Sequence, residues 1–123
     1  MAKIFLDTSR FIDLTQGRGD QGFAQQLDDH QVYISPLSTH VMFYTYHLSV
    51  PNFAANGTIS QFDIIDLNKG IHDKALLGPT PDLEDNIQLH SAAEVDCEYF
   101  LTRDDKLLKM RFFGKTQILE EIR

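Results

Sequence analysis

The stretch PDLEDNIQLHSAAEVDCEYFLTRDDK, residues 81–106, constrains this chain most, because it sets a helix start, a helix, a strand and a loop between two acidic clusters. Asp82 is placed to cap the helix, Glu84 and Asp85 favour its dipole, and Leu89, Ala92 and Ala93 give it a close-packing face. Glu98 to Thr102 reads as a strand, with Asp104 and Asp105 directly after it. If this helix and strand are neighbours in an α/β fold, the two clusters meet at one edge of a sheet. Asp7 stands at the same kind of position, straight after the apolar run Ile4, Phe5, Leu6.

The rest of the chain supplies the other elements of such a fold. Ile4 to Leu6 can be a fully buried parallel strand. Thr8 or Ser9 can cap a helix through Leu14, with Gly17 as its stop before the loop RGDQG. Phe23, Ala24 and Leu27 have helical spacing, and Val32 to Ile34 reads as a strand. Ser35 and Pro36 suit a helix start, followed by an apolar stripe at Leu37, Val41, Tyr44 and Leu48. Asn56 and Gly57 mark a turn before a strand around Phe62 to Leu67. A short helix from Ile71 to Leu77 closes at Gly78, and Thr116 to Leu119 forms the last strand. Five buried-looking strands separated by helices imply a three-layer α/β/α sandwich around a mostly parallel five-stranded sheet. In such sheets ligands bind at the carboxyl ends of strands, where Asp7 and Asp104 fall and which Asp85 can reach from a helix N-terminus.

With 123 residues and 42% hydrophobic content, the chain fits one domain spanning residues 1–123. No apolar run reaches membrane-spanning length, so a cytoplasmic protein without a membrane partner is expected. The lone cysteine, Cys97, has no partner for a disulfide or a CxxC zinc site and reads as a packing residue. A formal charge of −7 argues against nucleic-acid binding by overall field. Five of the eleven basic residues nevertheless lie between positions 103 and 115, beside the second acidic cluster. From His30 to Phe62 no Asp, Glu, Lys or Arg occurs, which suggests core plus an association surface.

Several carboxylates held together repel one another and cost stability unless a cation neutralises them. An acidic site without His or Cys suits Mg²⁺ or Mn²⁺, which would orient water and a phosphodiester for in-line displacement. That is the chemistry of metal-dependent nucleases.

On the residues IFLDTSRFIDL (4–14), VYISPLSTHVM (32–42), DLEDNIQLHSAAEVDCEYFLTRDDK (82–106) and TQIL (116–119), the chain resembles the PIN domain family, especially VapC-like ribonuclease toxins. The resemblance implies a parallel sheet with helices on both sides, a Mg²⁺ or Mn²⁺ site, cleavage of single-stranded RNA, homodimers, and inhibition by a small antitoxin. It places the catalytic and metal-binding acids on Asp7, Asp85 and Asp104; from the residues alone, Asp82 or Asp105 are candidate helpers. Arg103 and Lys106 are then placed to hold RNA phosphate.

One position departs from the pattern: the family's glutamate in the helix after the SP turn aligns with Val41, and no acid lies nearby in sequence. His40 is adjacent as an isolated histidine. A catalytically degenerate PIN-like module that binds RNA or protein is therefore the alternative function. His40, Phe43 and His47 form a second stripe that could meet a dimer mate or an antitoxin.

Overall fold

The computed structural model describes residues 1–17 and 21–122, so Arg18 to Asp20 of the expected RGDQG loop lie outside the described residues. Its elements are β1 (Lys3–Leu6), α1 (Thr8–Thr15), α2 (Gln21–Leu27), β2 (Gln31–Ile34), α3 (Pro36–Thr45), α4 (Phe53–Ile59) and β3 (Asp63–Ile64). There follow α5 (Lys69–Ala75), α6 (Leu83–Glu94), β4 (Tyr99–Leu101), α7 (Asp105–Met110), β5 (Phe112–Phe113) and β6 (Thr116–Leu119). The strands form one sheet in the order β3-β2-β1-β4-β6-β5. All neighbours pair in parallel except β5 with β6.

Strand alternation builds the two covered faces. Ile4 and Leu6 of β1, Ile34 of β2 and Leu101 of β4 enter one core with Phe11, Phe23, Leu27 and Met42 from α1 to α3. Phe5, Phe100 and Ile118 point the other way and meet Ile71 of α5, Leu89 and Ala92 of α6, and Leu107 of α7. The register Phe5↔Phe100 and Phe100↔Ile118 aligns these side chains across three strands, and the Phe5 and Phe100 rings stack at 5.3 Å. This is the expected α/β/α sandwich, with Cys97 buried in the second core.

The sheet has six strands where five are expected. The extra one, Phe112–Phe113, is a two-residue antiparallel edge returned through Gly114 at φ 59°, too short to leave a periodic signal inside the basic run. Asn56 and Gly57 do not form a turn: they lie inside α4, which Asn52 starts by accepting a hydrogen bond from the Ala55 amide at 3.0 Å. α5 likewise starts earlier than expected, because the Asn68 side chain accepts from the Ile71 amide at 2.9 Å. Around Phe62 to Leu67 only Asp63 and Ile64 pair as a strand.

The apolar stripe read on α3 is rotated in the structure. Ser38 and Met42 face inward, whereas Tyr44 is 77% exposed and Val41 is half-buried. A buried polar cluster draws Ser38 in, and that outweighs the apolar periodicity. Nor do His40, Phe43 and His47 share a face, since Phe43 packs on the first core while both histidines are exposed. On α6, Leu89 and Ala92 are buried as expected, but Ala93 is exposed. Among the described residues, no helix is long and apolar enough to cross a membrane.

The stacked pair at the centre gives a direct test. Phe100→Ala is expected to cost about 3–5 kcal/mol in denaturant unfolding, against less than about 0.5 kcal/mol for the 55% exposed Phe112→Ala. Similar losses for the two would show that β4 is not the core strand.

Candidate functional site

β1 and β4 are neighbours, so their carboxyl ends open side by side where the strand order reverses. Asp7 leaves β1 there and is only 6% exposed. Its amide donates to the Leu101 carbonyl at 2.9 Å, continuing the β1–β4 pairing one residue past the strands. One carboxylate oxygen accepts from the Thr8 amide at 2.9 Å and the other from the Thr102 hydroxyl at 2.8 Å. The cap of α1 is therefore Asp7 itself, not Thr8 or Ser9, and the carboxylate has a structural task as well as any chemical one. Burial pushes the Asp7 pKa up to about 6, against the lowering effect of these two hydrogen bonds, and the charges of Glu84 and Asp104 push the same way.

The second acid group sits on the start of α6. Asp82 caps it by accepting from the Asp85 amide at 3.0 Å, as the sequence suggests. Asp85 is pushed up to about 7, first by burial and then by Asp82, Asp7, Asp104 and Glu84. Glu84 is also raised, by burial and by Asp82. Asp104 caps α7, accepting from the Lys106 amide at 2.9 Å, and its own amide donates to the Thr102 hydroxyl at 3.0 Å. Thr102 thus ties Asp7 to Asp104 through one oxygen.

Asp7, Asp82, Glu84, Asp85 and Asp104 therefore feel one another's charge at one sheet edge. Glu84 is the acid that helix-dipole reasoning undervalues; its position next to Asp85 was visible, but its reach across to Asp7 was not. Asp105 lies exposed in the first turn of α7 and is not among the groups acting on Asp7 or Asp85. Among the described residues no three acidic, histidine or cysteine side chains are already gathered as a metal cage. An all-carboxylate set in which Asp7, Glu84 and Asp85 are raised fits a hard cation that keeps part of its water shell, as Mg²⁺ does on one or two carboxylates.

Beneath the acids lies a buried polar cluster that sequence reasoning missed. Gln88, one turn after Asp85, donates to the Thr8 hydroxyl at 2.9 Å and the Ser38 hydroxyl at 2.8 Å, and accepts from the Ser35 hydroxyl at 2.6 Å. The Thr8 and Ser38 hydroxyls are themselves 3.1 Å apart. Ser35 therefore makes no side-chain cap on α3. A glutamine within the packed face of α6 was the available signal, since a fully buried carboxamide demands several partners. This cluster joins α1, α3 and α6 behind Asp7, on the helix that carries Val41 one turn past Ser38.

The two basic candidates part company. Lys106 lines a cleft of about 510 Å³ together with Asp82, Asp85 and Asp104. Arg103 instead reaches back to Asp13, its guanidinium 3.2 Å from a carboxylate that also pairs with the buried Arg10 at 3.1 Å. His40 is exposed and stacks on Tyr44 at 6.5 Å between ring centres.

No protein-family model matches this chain, and no curated protein matches it in sequence. Solved structures do. A toxin-antitoxin complex from Klebsiella pneumoniae is 25% identical over 84% of this chain and 88% of that one, with a TM-score of 0.66. VapBC2 from Rickettsia felis, bound to a DNA fragment from its promoter, is 13% identical over 94% and 96%, with a TM-score of 0.68. VapC20 from Mycobacterium tuberculosis, a sarcin-ricin loop cleaving toxin, is 15% identical over 93% and 98%, with a TM-score of 0.64. The architecture is that of the α/β/α sandwiches in these assemblies. The chain has the fold of a VapC-like PIN domain.

The raised pKa values give a stability test with a definite sign. A carboxyl with its folded pKa above the ordinary value favours the protonated fold, so this contribution is present at low pH and fades as pH rises through about 6 for Asp7 and about 7 for Asp85. For buried Asp7 the shift from 3.8 corresponds to roughly 3 kcal/mol. Thermal melting should show Asp85→Asn more stable than the parent chain at about pH 8, the difference vanishing near pH 4. Mn²⁺ should stabilise the parent chain at the higher pH and the variant less. A pH-independent difference would mean that the fold does not raise the Asp85 carboxyl.

Proposed function

We propose that this chain is a metal-dependent endoribonuclease that cleaves single-stranded RNA, and the toxin of a toxin-antitoxin pair. The convergence of Asp7, Asp85 and Asp104 on one sheet edge, where burial and neighbouring charge raise the Asp7 and Asp85 carboxyls, carries the reading. The likeness to a toxin-antitoxin complex, to VapBC2 and to a sarcin-ricin loop cleaving toxin supports it. The remaining partners are a small antitoxin protein and a second copy of the chain as a homodimer, acting in the cytoplasm.

Asp7, Asp85 and Asp104 would hold Mg²⁺ or Mn²⁺, with Asp82 and Glu84 adding negative charge around it. When bound, the ion supplies a reactive water and neutralises charge building on the phosphate. The chain's own groups do the positioning. Thr8 and Thr102 hold both Asp7 oxygens, so the carboxylate has no freedom to turn away. Lys106 at the cleft offers a cation to a phosphate, and Arg103 can do the same once drawn from Asp13.

Purified protein with Mn²⁺ should cleave single-stranded RNA, and Asp7→Ala should lower the rate by at least about a hundredfold. Absence of both cleavage and metal binding would sink this reading and leave the degenerate binding module. That second reading has its own supporting observation, the Val41 side chain where an acid would stand on α3. Titration calorimetry on Val41→Glu addresses it: adding the carboxylate should tighten Mn²⁺ binding by about tenfold. Unchanged affinity would mean that this face of α3 does not look into the site.

A further inference from the structure

The cleft that holds Lys106 also has an apolar side that the acids do not explain. Pro79 and Pro81 line it from the loop between α5 and α6, and Leu107 and Met110 line it from α7. The proline loop is fixed in place. Asn86, buried and next to Asp85, accepts from the Thr80 amide at 2.9 Å and the Thr80 hydroxyl at 2.7 Å. Its amide nitrogen donates to the Thr80 carbonyl at 2.8 Å and the Ala75 carbonyl at 2.9 Å. Every donor and acceptor site of this carboxamide that matters to the loop is used, so the prolines and Asp85 hold a set spacing.

We propose that this cleft is a nucleobase subsite, taking the unpaired base next to the phosphate that a cation held by the acids would bind. The proposal deepens the ribonuclease reading and rests on it for the kind of strand involved. A base is flat and apolar on its faces and polar at its edge, and the cleft is lined both by the apolar Pro79, Pro81, Leu107 and Met110 and by Asp82, Asp85 and Asp104. Its volume of about 510 Å³ falls within the ~300–1,000 Å³ usual for small-ligand sites. Lys106 sets a positive charge at the same cleft, matching the phosphate that any such base brings with it. A base inside a duplex is stacked and cannot enter, so the subsite selects single-stranded RNA and reads one position beside the cut.

The three methionines give a probe that does not depend on cleavage. With methionine methyls labelled for NMR, the protein is titrated in Ca²⁺ with RNA tetranucleotides of A, C or U, and with an abasic tetranucleotide of the same backbone. At least one base-bearing strand should shift the Met110 methyl upfield and leave that of buried Met42 in place. It should also bind about tenfold tighter than the abasic strand, and Met110→Ala should remove most of that difference. Equal affinity for abasic and base-bearing strands, or a Met110 signal unmoved at saturation, overturns the subsite, as does failure of every strand to bind. A Met110 shift in a protein that never cleaves RNA with Mn²⁺ would retain the subsite and reject the nuclease.

Discussion

The parallel pairing of β1 with β4 is the contact on which the rest of the site depends. It sets Leu6 beside Leu101, so that the residues emerging from the two strands, Asp7 and Thr102, come within one hydrogen bond of each other. Thr102 is then both donor to Asp7 and acceptor from the Asp104 amide. One hydroxyl fixes the separation of two strand-end acids, and no long side chain has to be ordered to do it. The third acid arrives differently, from a helix start whose cap, Asp82, is itself charged.

This arrangement opposes the stability of the fold. Asp7 and Asp85 are forced upward in pKa by burial, with added charge from Glu84 and Asp104 on Asp7 and from Asp82, Asp7, Asp104 and Glu84 on Asp85, which is an unfavourable contribution at neutral pH. Two features hold the groups in place against it. The carboxylates serve as helix caps, so Asp7, Asp82 and Asp104 each satisfy a backbone amide that would otherwise be unpaired. Behind them, Gln88 links Thr8, Ser35 and Ser38 in a polar cluster with no exposed member. Structural duty and candidate chemistry thus reside in the same side chains.

Much of this was legible in the sequence where the signal was local. Short apolar runs ending in acids gave β1 and β4, and Asp82 declared itself as a cap three residues ahead of the amide it serves. Long-range pairing was not legible. Nothing local separates a helix face led by Leu37 and Val41 from one led by Ser38 and Met42; the partner that decides, Gln88, lies 50 residues from Ser38. The reach of Glu84 toward Asp7 and the retreat of Arg103 toward Asp13 depend on tertiary placement in the same way. The NG pair inside α4 misled because Asn52 caps the helix before it. β5 escaped because two residues carry no period.

Alternation along β4 has a consequence for how this chain can vary. Phe100 faces one core while Tyr99 and Leu101 face the other, and Thr102 follows at the edge. Inserting or deleting a single residue between positions 99 and 102 would exchange the two faces and carry the Thr102 hydroxyl away from Asp7 in the same stroke. Folding and the placement of the acids therefore share one reading frame in this segment. The length of β4 is thereby locked to the position of the acids.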